Sequence, residues 1–197
     1  VNIQNRLTHV LAELSLPGQN NPLLSCEDII PLIDLTLLDI KATPPDIHAL
    51  AMKAYQKKVA AICILPEHLD YVSPEIKITR ATVINFPSGH EPQQQLLKIV
   101  EQTATFKKVD EIDYVFPYQL YLDGNPDQAL SCCHEIYQLC KQHGLTFKVI
   151  LETGALPSIE SMYDLSCAII DKGCDFLKTS TGKIATGASI PAAFSIL

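Results

Sequence analysis

Six times along this chain a short apolar run hands over to a stretch of helical period, and that alternation restricts the fold more than any other feature. Residues 31–38, 59–65, 76–87, 111–117, 147–154 and 176–182 read as strands. Residues 44–58, 91–108, 125–144 and 158–173 read as helices; a short helix is expected after Pro66, and another starts at Ser189, with the chain stopping inside it. The helices carry apolar faces: Ile47, Leu50, Ala51, Ala54 and Tyr55 on one, Leu96, Leu97, Val100 and Ala104 on the next. Pro44 and Pro45 suit a first helical turn, Asn125 and Gly144 suit a cap and a stop, and Ser158 is a plain cap because Ser161 stands where a glutamate would complete a box. Strands joined through helices at this spacing make right-handed βαβ units and hence a parallel sheet. An open doubly wound sheet and a (β/α) barrel both meet that demand. Central strands of the former are almost wholly apolar, whereas a barrel gathers polar side chains near the carboxyl ends of its strands. Here Asp34, Thr36, Cys63, Asp113, Lys148, Glu152 and Lys178 all fall within strands, which favours the barrel.

Bulk properties exclude several function classes. A chain of 197 residues that is 47% hydrophobic fits one domain, residues 1–197, with a real core. A formal net charge of −7 argues against a nucleic-acid face. An amphipathic helix is expected over residues 1–16, with Ile3, Leu7, Val10, Leu11 and Leu14 on one side, and it does not resemble a signal peptide. No uninterrupted apolar stretch reaches the roughly 18 residues of a membrane span. The seven cysteines form no C-x-x-C pair, and Cys132, Cys133 and Cys140 share a helical face with Ala129, Ile136 and Tyr137, so they read as small core residues of a cytoplasmic protein. No His/Cys/Asp cluster suggests a metal. Residues 39–45 follow the first strand where a dinucleotide fold needs its glycines, and residues 180–187 only partly match a phosphate loop, with Ile184 in place of the metal-binding hydroxyl.

The stretch DFLKTSTGK, residues 175–183, sets a chemical question. Lys178 lies inside what reads as a buried strand, before Thr179, Ser180 and Thr181. An ammonium without a partner in a core is costly, and a lysine that gives up its proton near neutral pH is a nucleophile. The plain alternative is a lysine snorkelling from a strand end.

Together with IDLTLL, VAAICILP, NFPSG, DEIDYVFPY and KVILETG, this stretch resembles the ordered strand motifs of the deoxyribose-phosphate aldolase family, from about Ile33 to Lys183. The resemblance implies a (β/α)8 TIM barrel and a class I aldolase that needs no cofactor or metal. It implies reversible cleavage of 2-deoxy-D-ribose 5-phosphate to D-glyceraldehyde 3-phosphate and acetaldehyde, in deoxyribonucleotide catabolism. Lys178 matches the Schiff-base lysine and Asp113 the acid/base aspartate. Lys148 is expected to pair with Asp113 and to depress the pKa of Lys178 by like-charge repulsion. Asp34 and Thr36 match residues near the substrate hydroxyls, Cys63 a cysteine beside the pocket, and Thr181, Gly182 and Lys183 the loop that helps hold the phosphate. Structural hydrogen bonding is the alternative for Asp34, Thr36 and Lys148, an ion pair with Lys148 for Asp113, and solvent exposure for Lys183. The family places a second active-site lysine on strand seven, and the 197 residues carry neither that motif nor strands seven and eight with their helices. The natural chain is therefore expected to continue beyond Leu197 by two more βα units of about 30 residues each. A homodimer is one way to cover the open edges. A non-catalytic barrel that keeps a sugar-phosphate pocket or a partner surface is the alternative function.

Overall fold

Successive strand residues point to opposite faces of a sheet, so each polar–apolar alternation in this chain becomes a choice of side. The computed structural model describes residues 2–14 and 24–197. Its six strands are β1 (Asp34–Leu37), β2 (Ala61–Ile64), β3 (Thr79–Ile84), β4 (Glu111–Val115), β5 (Thr146–Ile150) and β6 (Phe176–Lys178). All neighbours are parallel, and their order across the sheet is their order in the chain. A doubly wound sheet reverses its strand order at a switch point, and no reversal occurs here. The sheet instead curls into a half-barrel, so that Lys178 on β6 comes within 3.2 Å of Asp34 on β1 although the two strands do not pair.

The convex face takes the apolar set. Leu35, Leu37, Ile62 and Ile64 pack against Ile47, Ala51 and Ala54 of α3 (Pro44–Lys57). Ile112, Tyr114, Phe147 and Val149 pack against Leu96 and Val100 of α4 (Gln93–Phe106), and against Ala129, Cys133, Ile136 and Cys140 of α6 (Pro126–Gln142). Leu165 and Ile169 of α7 (Ile159–Lys172) complete that cluster. Burying each of the leucine, isoleucine, valine and phenylalanine side chains among them stabilises by about 1.5–3 kcal/mol. The concave face carries Asp34, Thr36, Cys63, Asp113, Lys148 and Lys178, because the other parity of each strand has to point there.

At several places the chain departs from its sequence reading. The first strand is shorter than expected because Pro31 lies within a 3-10 turn, Ile30–Leu32. The fifth stops at Ile150: Glu152 is left-handed at φ 54° and leads a second 3-10 turn, Thr153–Ala155, so it does not share the strand face of Lys148. The strand that carries Lys178 is a three-residue edge, not a buried strand, and Phe176 on it is 57% exposed. Tyr55 is exposed, and Thr103 is buried beside Ala104, which packs on the core. Asn125 stands at the cap of α6 without capping it; its side-chain amide turns back to the Asp123 carbonyl, 3.4 Å away. Ser158 and Ser161 do form a capping box, since the Ser161 hydroxyl takes the Ser158 N–H at 3.0 Å and serves where a glutamate was expected. Two short helices carry no strong sequence period: α2 (Cys26–Ile29), boxed by Ser25 and Asp28, and α5 (Tyr118–Leu122). The last helix, α8 (Ile190–Ser195), closes before Leu197.

The N-terminal helix α1 spans Ile3–Leu14, and Ile3 and Leu7 pack on Ile159, Tyr163 and Phe194. Residues 1, 15 and 16 of the expected helix, and the Leu14 side chain, lie outside the described residues. The seven cysteines are free. Among the described residues no helix is long and apolar enough to cross a membrane.

Candidate active site

Strand register brings the polar set together. Asp113 and Lys148 are cross-strand partners, as are Ile150 and Lys178, so Lys178 stands one inward layer above Lys148 toward the carboxyl ends of the strands. A cavity of about 410 Å³ opens there, lined among others by Asp34, Thr36, Cys63, Asp113, Lys178 and Thr181. The Lys178 ammonium donates to Asp113 Oδ2 at 2.5 Å and to Asp34 Oδ2 at 3.2 Å. Lys148 donates to Asp34 Oδ2 at 2.8 Å. Lys148 also forms ion pairs with Glu111 and, at 3.6 Å, with Asp113 Oδ1, both outside hydrogen-bonding geometry. Cys63 Sγ lies 3.7 Å from Asp113 Oδ2. Three carboxylates thus face two ammonium groups on a concave surface where Asp113 is 1% exposed and the Lys148 side chain 6%.

Burial alone would lower the pKa of Lys178, but the charge and hydrogen bond of Asp113, then the charge of Asp34, outweigh it and hold the amine above its ordinary 10.5. The expected depression by Lys148 is therefore overturned: the carboxylates that separate the two lysines attract each ammonium more strongly than the ammonium groups repel one another. The same balance raises Lys148. Burial pushes Asp34 up, yet hydrogen bonds and charges from Lys148 and Lys178 hold it below 3.8. The Cys63 thiol is pushed up to about 12 by burial and by the neighbouring Asp113 charge, so it stands as a neutral thiol.

The remaining sequence-predicted residues divide. Thr36 lines the cavity and its hydroxyl donates to the Asp34 carbonyl at 2.9 Å. Thr181 also lines it, with its hydroxyl and its backbone N–H directed to the fully buried Glu152 carboxylate. Lys148 sits beneath the cavity rather than in its wall. Gly182, at φ +72°, and Lys183 fall outside that wall. Lys183 lines an adjacent cavity of about 770 Å³, its ammonium 5.9 Å from the centroid of the Phe86 ring.

Three participants were not assigned to the site from the sequence. Glu111 precedes Asp113 by two positions and so shares its face, a signal available from strand parity. The clamp of Glu152 on Thr181 depends on a left-handed residue that no period announces. Ser180 lines the cavity with a buried hydroxyl that has no hydrogen-bond partner. Among the described residues, no group of three or more His, Cys, Asp or Glu side chains is placed to hold a metal ion.

Comparison with known proteins gives this arrangement a family. A family model described as DeoC/LacD family aldolase matches residues 29–194. The chain is 36% identical over 170 residues to a deoxyribose-phosphate aldolase of Agrobacterium fabrum, covering 82% of this chain. It spans 64% of that relative's length. Among solved structures, a deoxyribose phosphate aldolase from Aeropyrum pernix, described as a unique tetramer, matches with a TM-score of 0.78 and 26% identity over 87% of this chain and 72% of that one. The aldolase QR15 matches with a TM-score of 0.79 and 25% identity over 86% of this chain and 75% of that one. With the family model matching most of its length and a relative 36% identical over 170 residues, the chain belongs to the DeoC/LacD family of aldolases.

Proposed function

We propose that this protein is a class I aldolase that cleaves 2-deoxy-D-ribose 5-phosphate reversibly to D-glyceraldehyde 3-phosphate and acetaldehyde, in deoxyribonucleotide catabolism. The observation that carries this reading is the 2.5 Å contact between Lys178 and Asp113 at the floor of the concave cavity. The resting amine is protonated, but Asp113 is close enough to take its proton directly as substrate enters. The neutral amine then attacks the aldehyde carbonyl, water leaves, and a protonated imine forms on Lys178. Asp113, having given its first proton to the departing water, takes the proton of the hydroxyl beside the scissile bond; the cation draws the electron pair of the breaking C–C bond, D-glyceraldehyde 3-phosphate leaves, and an enamine remains. Asp113, directly or through a water, returns the proton to the terminal carbon, and hydrolysis of the imine frees acetaldehyde and Lys178.

The neighbours have supporting roles in the same reading. Lys148 orients Asp34 through a hydrogen bond and Asp113 through an ion pair. Asp34 and Thr36 face the sugar hydroxyls, and Cys63 packs the wall as a neutral thiol. Thr181, Gly182 and Lys183 offer backbone amides and a cation to the phosphate, a role that fits Lys183 once the two adjoining cavities are spanned by one substrate. The six strands are read as part of a (β/α)8 barrel, residues 1–197 as one domain of it, and a cytoplasmic homodimer as its assembly.

Borohydride reduction in the presence of acetaldehyde tests the central assignment. A stable adduct on Lys178, mapped by mass spectrometry and absent from Lys178→Arg, is the expected result, because a guanidinium keeps its proton. An adduct on another lysine with Lys178 unmodified overturns it.

A further inference from the structure

A second polar cavity, of about 310 Å³, lies at the amino ends of β3 and β4, the opposite end of the sheet from Lys178. Lys77, Arg80, Lys107 and Lys108 line it, with Asp110 as the one acid in its wall, although the whole chain carries a net charge of −7. Asp110 is engaged by the Arg80 backbone N–H at 2.8 Å, and Lys107 is paired with Asp70. Lys77 Nζ donates to the Pro74 carbonyl at 3.2 Å, and Lys108 has no hydrogen-bond or ion-pair partner among the described residues.

Arg80 is the informative member. It is 6% exposed, and its guanidinium makes a single hydrogen bond, from Nη2 to the Ser73 carbonyl at 3.1 Å. No carboxylate lies within ion-pair distance of it among the described residues. A guanidinium stays charged at any pH a protein meets, and buried charges are paired. The cavity therefore holds a buried cation with free donors and no ion-pair partner of its own. The planar fork of arginine matches phosphate oxygens two at a time, and the cavity is at the small end of the roughly 300–1,000 Å³ that ligand sites occupy. We propose that this cavity is a binding site for a small phosphate-bearing anion, held by Arg80 with Lys77 and Lys108, separate from the Lys178 site and independent of the reading given to it.

Lysine acetylation of the folded chain, read by mass spectrometry with pyrophosphate as the probe, tests this. With pyrophosphate at about ten times its Kd, labelling of Lys77 and Lys108 should slow about tenfold relative to chloride at matched ionic strength, while Lys53 on α3 labels unchanged. Arg80→Met should abolish that protection and leave any protection of Lys183 intact, which separates the two sites. Lys108→Glu, at an exposed position, should weaken protection of Lys77 about three- to fivefold, and it decides the matter should Arg80→Met not fold. No protection at millimolar pyrophosphate, protection equalled by chloride, or protection that survives these substitutions overturns the proposal.

Discussion

Asp113 is the residue on which both halves of the proposed chemistry meet. It is buried, touches Lys178, and forms an ion pair with Lys148. Asp113→Asn removes the largest influence that raises the Lys178 pKa, so imine formation near neutral pH should persist. Exchange of the acetaldehyde methyl protons should fall by about 10²–10⁴-fold, the usual worth of general acid–base help. Deuterium wash-in followed by NMR measures it, and wild-type exchange in the variant would remove Asp113 from the mechanism. Asp34 makes a different kind of prediction, about stability. Its folded pKa lies below 3.8, held there, against the upward push of burial, by Lys148 and Lys178. A carboxylate depressed in this way adds stability that is complete above its unfolded pKa and lost as the pH falls through the folded one. Asp34→Asn should therefore be less stable than wild type at pH 7, and the gap should close as the pH falls below about 4. Urea midpoints across that range decide it; a gap independent of pH would mean that Asp34 contributes through shape rather than charge.

At the scale of elements, the loops after β5 and β6 are held against one another. Glu152 binds Thr181 from one side, and Gly154 lies so close to the Thr186 carbonyl that an added β-carbon would overlap it. Gly154→Ala should destabilise the chain by about 1–3 kcal/mol through overpacking, read as a lower urea midpoint. The helices and strands themselves were legible in the sequence because one face of each is apolar: Ile62 and Ile64 alternate with Cys63, and Ile112 and Tyr114 with Asp113. The polar parity of the same strands marked Asp34, Asp113, Lys148 and Lys178 as neighbours on one surface. Partnerships were not legible, because they depend on register and curl. Nothing local to Lys178 says that two carboxylates, one 65 and one 144 positions away, would reverse the expected direction of its pKa. Nor does any period place Glu152 in a left-handed turn or leave Arg80 without an acid.

At the scale of the whole molecule, β1 and β6 present edges with no strand beside them among the described residues, and Leu32, Ile33 and Phe176 are exposed at or beside those edges. Open edges next to apolar side chains invite further strand pairing. Light scattering should give a mass above the 21.7 kDa of one chain, rising with concentration, and a constant monomer mass would overturn this. The strand order has a consequence in time as well as in space. From β2 onward each strand pairs with the one made just before it, so none of these awaits a later segment to find its first neighbour. Short closures form readily and long ones bear more entropy, so nearest-neighbour ladders lead the folding of such a sheet. The contacts of Lys148 and Lys178 with Asp34 span 114 and 144 positions and require the curl to be complete. Lys178 meets its carboxylate pair only at the end of that sequence, and a half-folded chain emerging from the ribosome has strands and helices but not yet the concave charge cluster.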